Sequence, residues 1–114
     1  MNEIIINGMG FNEYIIKNNV FQKAHDSLIE CLKNWYEDDP KHFIEDMWAD
    51  LTQVLQTYHF KNKIVAVNKN FLYEPALDYI SISIQIEDGD GTHAATYTAF
   101  MDFDGNIFDD KLAK

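Results

Sequence analysis

The chain has 114 residues, 46% of them hydrophobic, with 19 acids set against 9 Lys, no Arg, and a formal net charge of −10. That length predicts one domain with enough apolar area for a core that needs no staple, and the 8 Phe, 6 Tyr and 2 Trp are too many for a disordered tail. The negative balance and the missing guanidinium groups argue against nucleic acid and against anionic membrane surfaces as partners.

No apolar run approaches the ~20 residues of a membrane span. The opening Met1-Asn2-Glu3-Ile4-Ile5-Ile6 lacks the basic flank and apolar length of a secretory leader. Cys31 stands alone, so no internal disulfide can form, and the cytoplasm is the expected compartment.

The first 18 residues carry weak signals. Ile4-Ile5-Ile6 suits a short strand, and Asn7-Gly8-Met9-Gly10 breaks whatever precedes it. A helix is then predicted over residues 19–37. Phe21, Ala24, Leu28, Cys31, Leu32 and Trp35 fall on one stripe, with Lys23, Asp26, Glu30, Lys33 and Glu37 opposite. Asp39 and Pro40 suit the cap and first position of a second helix, and Glu37-Asp38-Asp39 sits at the positive end of its dipole. That helix is predicted to run to about residue 58. Phe43, Ile44, Met47, Trp48, Leu51, Val54, Leu55 and Tyr58 cover a broader arc, as if touching two neighbours. Asp46 and Asp50, four apart on its polar side, make a secondary partner-binding candidate.

From Asn62 onward the hydrophobic period changes from 3.6 to 2. Residues 64–67 predict a first strand, and an irregular stretch follows through Tyr73-Glu74-Pro75. Residues 79–87 alternate strictly, with Ile80, Ile82, Ile84 and Ile86 on one side. Asp88-Gly89-Asp90-Gly91 reads as a turn. The strand over residues 92–103 places Ala95, Tyr97, Ala99, Met101 and Phe103 on one face, and Asp104-Gly105 reads as a two-residue hairpin. The fold class expected is α+β: two N-terminal helices packed on one face of a three- to four-stranded antiparallel meander.

Pairing Glu87 with Thr92 sets Ile82 opposite Tyr97, Ile80 opposite Ala99 and Tyr79 opposite Phe100. The hairpin at Asp104-Gly105 sets Asp102 opposite Ile107 and Phe100 opposite Asp109. The outer face then gathers Tyr79, Phe100 and Ile107 among Asp102 and Asp109, with Asp78, Asp104 and Asp110 at the rim. No Lys lies between Lys69 and Lys111 to neutralise them. Two readings compete: an edge kept soluble by charge, and aromatic anchors within an acidic rim where a basic partner docks.

Motifs for chemistry are poor. Residues 100–109 resemble the first motif of haloacid-dehalogenase phosphatases, but that motif belongs near the start of its fold, with phosphate and Mg²⁺ ligands downstream. Only four residues follow Asp110. Aligning Gly91 or Gly105 with an EF-hand glycine puts Ile86 or Phe100 where the first calcium ligand must be. His25, His42, His59 and His93 have no ligand spacing, and His93 is expected to pair with Ile86. Cys31 lies inside an apolar stripe, as a buried structural thiol does. No catalytic residue, metal or cofactor is expected.

A short, acidic, Arg-free domain with this meander over residues 80–108, its Asp-Gly turns, and Asp102-Phe103-Asp104-Gly105 followed by Asp109-Asp110 resembles the immunity proteins of bacterial polymorphic-toxin and contact-dependent growth-inhibition systems. The resemblance implies a cytoplasmic inhibitor that occludes a cognate basic toxin, commonly a nuclease. No residue role carries over from it. The alternative is a small homodimeric regulatory or ligand-binding domain that pairs through its sheet.

Overall fold

The structure, a computed structural model, describes residues 4–114. Met1, Asn2 and Glu3, which entered the leader argument, lie outside the described residues. The chain runs through a two-stranded hairpin, β1 (Ile5–Ile6) and β2 (Met9–Gly10), and four helices: α1 (Phe11–Lys17), α2 (Val20–Asp38), α3 (Pro40–Met47) and α4 (Leu51–Thr57). A four-stranded antiparallel sheet follows, of order β3 (His59–Asn70), β4 (Leu77–Glu87), β5 (His93–Met101), β6 (Ile107–Ala113). The fold is α+β, with the helices preceding the sheet.

The α2 stripe forms as its spacing predicts. Val20, Ala24, Leu28 and Leu32 are fully buried, while Phe21, Cys31 and Trp35 pack half-covered beside them. Asp39 caps α3 by accepting the His42 N–H at 3.2 Å, with Pro40 in the first turn.

The expected single helix over residues 40–58 is broken. Trp48 takes left-handed backbone geometry (φ 66°) and closes α3 through its N–H to the Ile44 carbonyl, 2.8 Å. Asp50 then caps α4 by accepting the Gln53 N–H at 2.8 Å. One straight helix has a single inward stripe, and the arc from Phe43 to Val54 was too wide for it. The break lets Phe43, Met47, Ala49 and Val54 all be buried. Asp50-Leu51-Thr52-Gln53 carries the sequence signature of a capping box, and that signal marks the second start. The Tyr58 hydroxyl donates to the Met47 carbonyl and ties the two helices together.

The first sheet strand begins five residues earlier than its apolar core, at His59, with a register shift between Asn62 and Ile64. Its start is polar because β3 is an edge strand, where Lys61, Asn62 and Lys63 discourage further pairing. In β4, Ile80, Ile82, Ile84 and Ile86 are all fully buried beneath the helices. Ala95, Tyr97, Ala99 and Met101 of β5 join them.

The β4–β5 register differs from the one expected. Ile84 lies opposite Tyr97 and Ile82 opposite Ala99, a slip of two that keeps every side chain on its predicted face. Two single steps add up to it: the turn spans residues 88–92, so Glu87 lies opposite His93 and not Thr92, and a bulge then sets Ile86 opposite Ala95, leaving Ala94 as the extra residue. His93 therefore pairs with Glu87, not Ile86.

The two hairpin turns are twins. In residues 88–92, Asp88 Oδ1 accepts the N–H groups of Asp90 (2.9 Å) and Thr92 (3.0 Å), and Gly91 N–H donates to the Asp88 carbonyl. In residues 102–106, Asp102 Oδ1 accepts those of Asp104 (3.0 Å) and Asn106 (2.9 Å), and Gly105 N–H donates to the Asp102 carbonyl. Both share the pattern Asp-x-Asp-Gly-x, and both glycines sit at positive φ, 85° and 91°. The second turn is thus a five-residue loop and not the two-residue hairpin expected. It is also held from the N-terminal side. Tyr14 (2.8 Å) and Asn7 (2.7 Å) donate to the Phe103 carbonyl, and Lys23 Nζ donates to that of Gly105 at 2.8 Å.

The twin turns permit a matched comparison. A methyl group on Gly91 meets nothing within 4 Å, whereas one on Gly105 meets Asn18 Oδ1 and Lys23 Nζ, each at 2.9 Å. Gly91→Ala should cost about 1–2 kcal/mol from backbone strain alone. Gly105→Ala should cost roughly 1 kcal/mol more through loss of the Lys23 bond. Urea unfolding of both variants, read as midpoint and slope, checks the ordering.

Candidate functional site

The outer face of the sheet, away from the helices, divides into two ends. At one end Ser83 and Thr98 share a 3.1 Å hydrogen bond, Asn68 donates to Ser81 at 3.1 Å, and Glu87 accepts from Lys61 (2.8 Å) and Gln85 (2.6 Å). Those hydrogen bonds, from Lys61 first and then Gln85, hold the Glu87 carboxyl below its ordinary range. This end is polar and internally paired.

The other end is aromatic. Tyr79 meets Phe100 edge-on at 5.8 Å and Phe108 at 6.2 Å between ring centroids. With Asn70, Tyr73, Leu77 and Asp109, these rings line a depression of about 140 Å³. The register slip places Ser81, not Tyr79, opposite Phe100, so the Tyr79–Phe100 contact is diagonal. Phe100 does lie opposite Asp109, as expected.

Several expected members of the cluster lie elsewhere. Met101 faces Ile107, so Ile107 packs toward the core, and a bulge leaves Phe108 as the extra residue on the outer face. Asp102 is not opposite Ile107; it sits in the turn with one carboxylate oxygen taken up by two backbone N–H groups. Asp104 is exposed at the turn tip. Asp110 lies opposite Ala99 on the helix-facing side, 2.9 Å from the Tyr97 hydroxyl, which also meets Ser27 Oγ at 2.6 Å. Burial, with Asp110 beside it, pushes the Tyr97 phenol far up.

Asp46 and Asp50 share no helix face: Asp46 pairs with His42 Nε2 at 3.0 Å, and Asp50 is spent as the α4 cap.

The two lysines that bound the acid-only stretch return to this end in space. Lys69 pairs with Asp78 at 3.1 Å, and Lys111 Nζ lies 6.0 Å from the Phe100 ring centre. Glu74, Asp104 and Asp109 have no ion-pair partner among the described residues. The contributors missed from the sequence include Phe108, the lining residues Asn70 and Leu77, and the loop residues Phe71, Leu72, Tyr73 and Glu74. The signal for the loop was three consecutive large apolar residues before Glu74-Pro75, in a stretch without period.

A second concavity of about 310 Å³ opens between the helices and the end of β6, lined by Cys31, Trp35, His42, Asp46, Ala95, Leu112, Ala113 and Lys114. A thiol and an imidazole line one cleft here, so nucleophilic chemistry must be weighed. Burial, then the charge of Asp110, pushes the Cys31 thiol up, away from thiolate. His42 turns Nε2 to Asp46 (3.0 Å) and Nδ1 toward Asp39 (3.9 Å), leaving neither nitrogen aimed at sulfur. Among the described residues, no group of three or more His, Cys, Asp or Glu is placed to hold a metal ion. None of the helices described is long and apolar enough to cross a membrane.

Comparison with protein-family models, curated proteins and solved structures returned no match. The functional reading therefore rests on this chain's own geometry.

Two chemical outcomes follow. Cys31 should react with iodoacetamide far more slowly at pH 8 than a cysteine in an unstructured peptide, a difference read by mass spectrometry over time. For Glu87, a carboxyl lowered by folding contributes stability that is complete above its unfolded range, ~4.3, and is lost as pH falls through the folded value. Glu87→Gln should therefore melt below the parent at pH 7, with the gap closing below about pH 4. Thermal unfolding at stepped pH checks this.

Proposed function

We propose that this chain is an inhibitor of the immunity-protein kind, which binds a basic toxin, commonly a nuclease, and occludes its surface without chemistry. The observation that carries the reading is the outward-facing cluster of half-buried Tyr79 and Phe100 with exposed Phe108, set beside Asp109, with Asp104 exposed at the tip of the turn that precedes β6. A nuclease cleft must be positive to hold phosphate. A surface with a net charge of −10 behind it is steered toward such a cleft, and aromatic rings supply contact that charge alone lacks. The pairing of Lys69 with Asp78 narrows the acidic part of the patch to Asp104, Asp109 and Glu74.

The homodimer alternative fares worse at this end of the sheet. Two copies meeting here would bring Glu74 and Asp109 of each together, with Lys111 the one lysine at this end without an ion-pair partner among the described residues, and an excess of like charge across a seam opposes association. Its specific support is the long β3 edge, which is open to pairing but carries a bulge and Lys61 and Lys63.

The test uses the basic protein encoded in the reading frame beside this one. Binding should weaken as salt rises from ~0.05 to ~0.5 M. Asp104→Lys with Asp109→Lys should slow association by about tenfold or more at low salt, with fold and melting temperature retained. Asp102 is unsuited to charge reversal because it holds the turn together. Unchanged protection by the Asp104, Asp109 double variant would overturn the interface, and salt-insensitive self-association without any such neighbour would favour the dimer.

A further inference from the structure

Among the described residues, the longest run of solvent-facing apolar side chains is the β3–β4 loop. Phe71 is 78% exposed, Leu72 95% and Tyr73 57%. Other exposed apolar side chains, such as Ile16 on α1 and Ile44 on α3, are scattered and call for no account. Three adjacent ones do, because a connection between antiparallel strands needs only turn residues, and contiguous exposed apolar surface marks a contact.

The loop is tethered at its base. Asn70 lies opposite Leu77 at the end of the ladder, and Asn70 Oδ1 accepts the Leu72 N–H at 2.9 Å. One residue further in, Lys69 and Asp78 close the strand pair with their 3.1 Å ion pair. Tyr73 lines the 140 Å³ depression with Tyr79, Phe100 and Phe108. Phe71 and Leu72 extend past it into solvent. The apolar loop, the aromatic cluster and the unpaired Asp109 are therefore one continuous surface.

We infer that residues 71–73 form an apolar prong that enters a hydrophobic pocket at the margin of the basic partner's charged surface. This rests on the function proposed above and deepens it: the partner must be positive, and must also carry an apolar recess beside its positive region. Charge selects this occupant over the others. A second copy would set Glu74 and Asp109 against their own counterparts, and an anionic lipid surface would be repelled by the same groups. The two halves of the surface then divide the work. Carboxylates set the rate of encounter and its dependence on salt, while the prong, desolvated only after docking, sets the lifetime of the complex.

The experiment is kinetic, by surface plasmon resonance, with the full chain immobilised and the neighbouring reading frame's product as analyte. The triple variant Phe71→Ser, Leu72→Ser, Tyr73→Ser should dissociate at least about 30-fold faster, with association rate and salt slope within about twofold of the parent. Because Tyr73 also borders the depression, the double variant Phe71→Ser, Leu72→Ser is measured beside it and should dissociate about tenfold faster. Both should keep the parent's melting temperature. Tight, salt-sensitive parental binding with an unchanged dissociation rate in both variants overturns the prong and leaves the functional reading standing. Failure of the parent to bind at all overturns both. Parental self-association in sedimentation, or binding to phosphatidylcholine vesicles, that the triple variant loses assigns the loop to a second copy or to lipid and overturns the inference.

Discussion

Everything in this molecule is arranged around one row of side chains. Ile80, Ile82, Ile84 and Ile86 alternate along β4 and are all fully buried against the helices. Each such burial contributes about 2 kcal/mol, so a one-residue slip of β4 would expose the whole row at once. That constraint decides the faces of β3 and β5 by pairing, and through β5 that of β6. It also sends Tyr79, Ser81, Ser83 and Gln85 outward without any need for them to favour water. The outer surface is a by-product of the inner one.

Alternation is a signal a sequence carries plainly, and so the fold class, the order of helices before strands, the face of each central strand and the Phe100–Asp109 pairing were all readable. What resisted reading was register and interruption. The β4–β5 pairing is displaced by two because the turn is one residue longer than expected and Ala94 bulges, and nothing in the alternation of residues 94–101 distinguishes an even slip from none. The break at Trp48 was hidden by an apolar pattern that continues across it, although the cap at Asp50 was written in the chain.

The candidate site was legible in kind but not in membership. Tyr79, Phe100 and Asp109 come together, whereas Asp102 and Asp110 do not join them: the first is bound to its own turn, the second to the buried Tyr97 hydroxyl. Acidic residues near one another in sequence were read as surface charge. The structure instead uses Asp102 as a hydrogen-bond acceptor for backbone and Asp110 for a phenol, and that role depends on geometry no spacing rule supplies. The lysines were misjudged for the converse reason. Lys69 and Lys111 are 42 positions apart, as the difference of their numbers gives, yet both reach the patch because they sit on strands that flank β4 and β5.

The bulge at the start of β6 has a consequence for how this surface can vary. Phe108 faces outward and Ile107 inward only because one supernumerary residue separates the Met101–Ile107 and Phe100–Asp109 pairs. Chain length in that turn thus acts as a parity bit. Removing a single residue between Asp102 and Asn106 and closing the bulge would exchange the two side chains. The aromatic ring would turn into the core and the isoleucine outward, with hardly any change in composition. Homologous chains that differ by one residue there could present different surfaces on an unchanged scaffold.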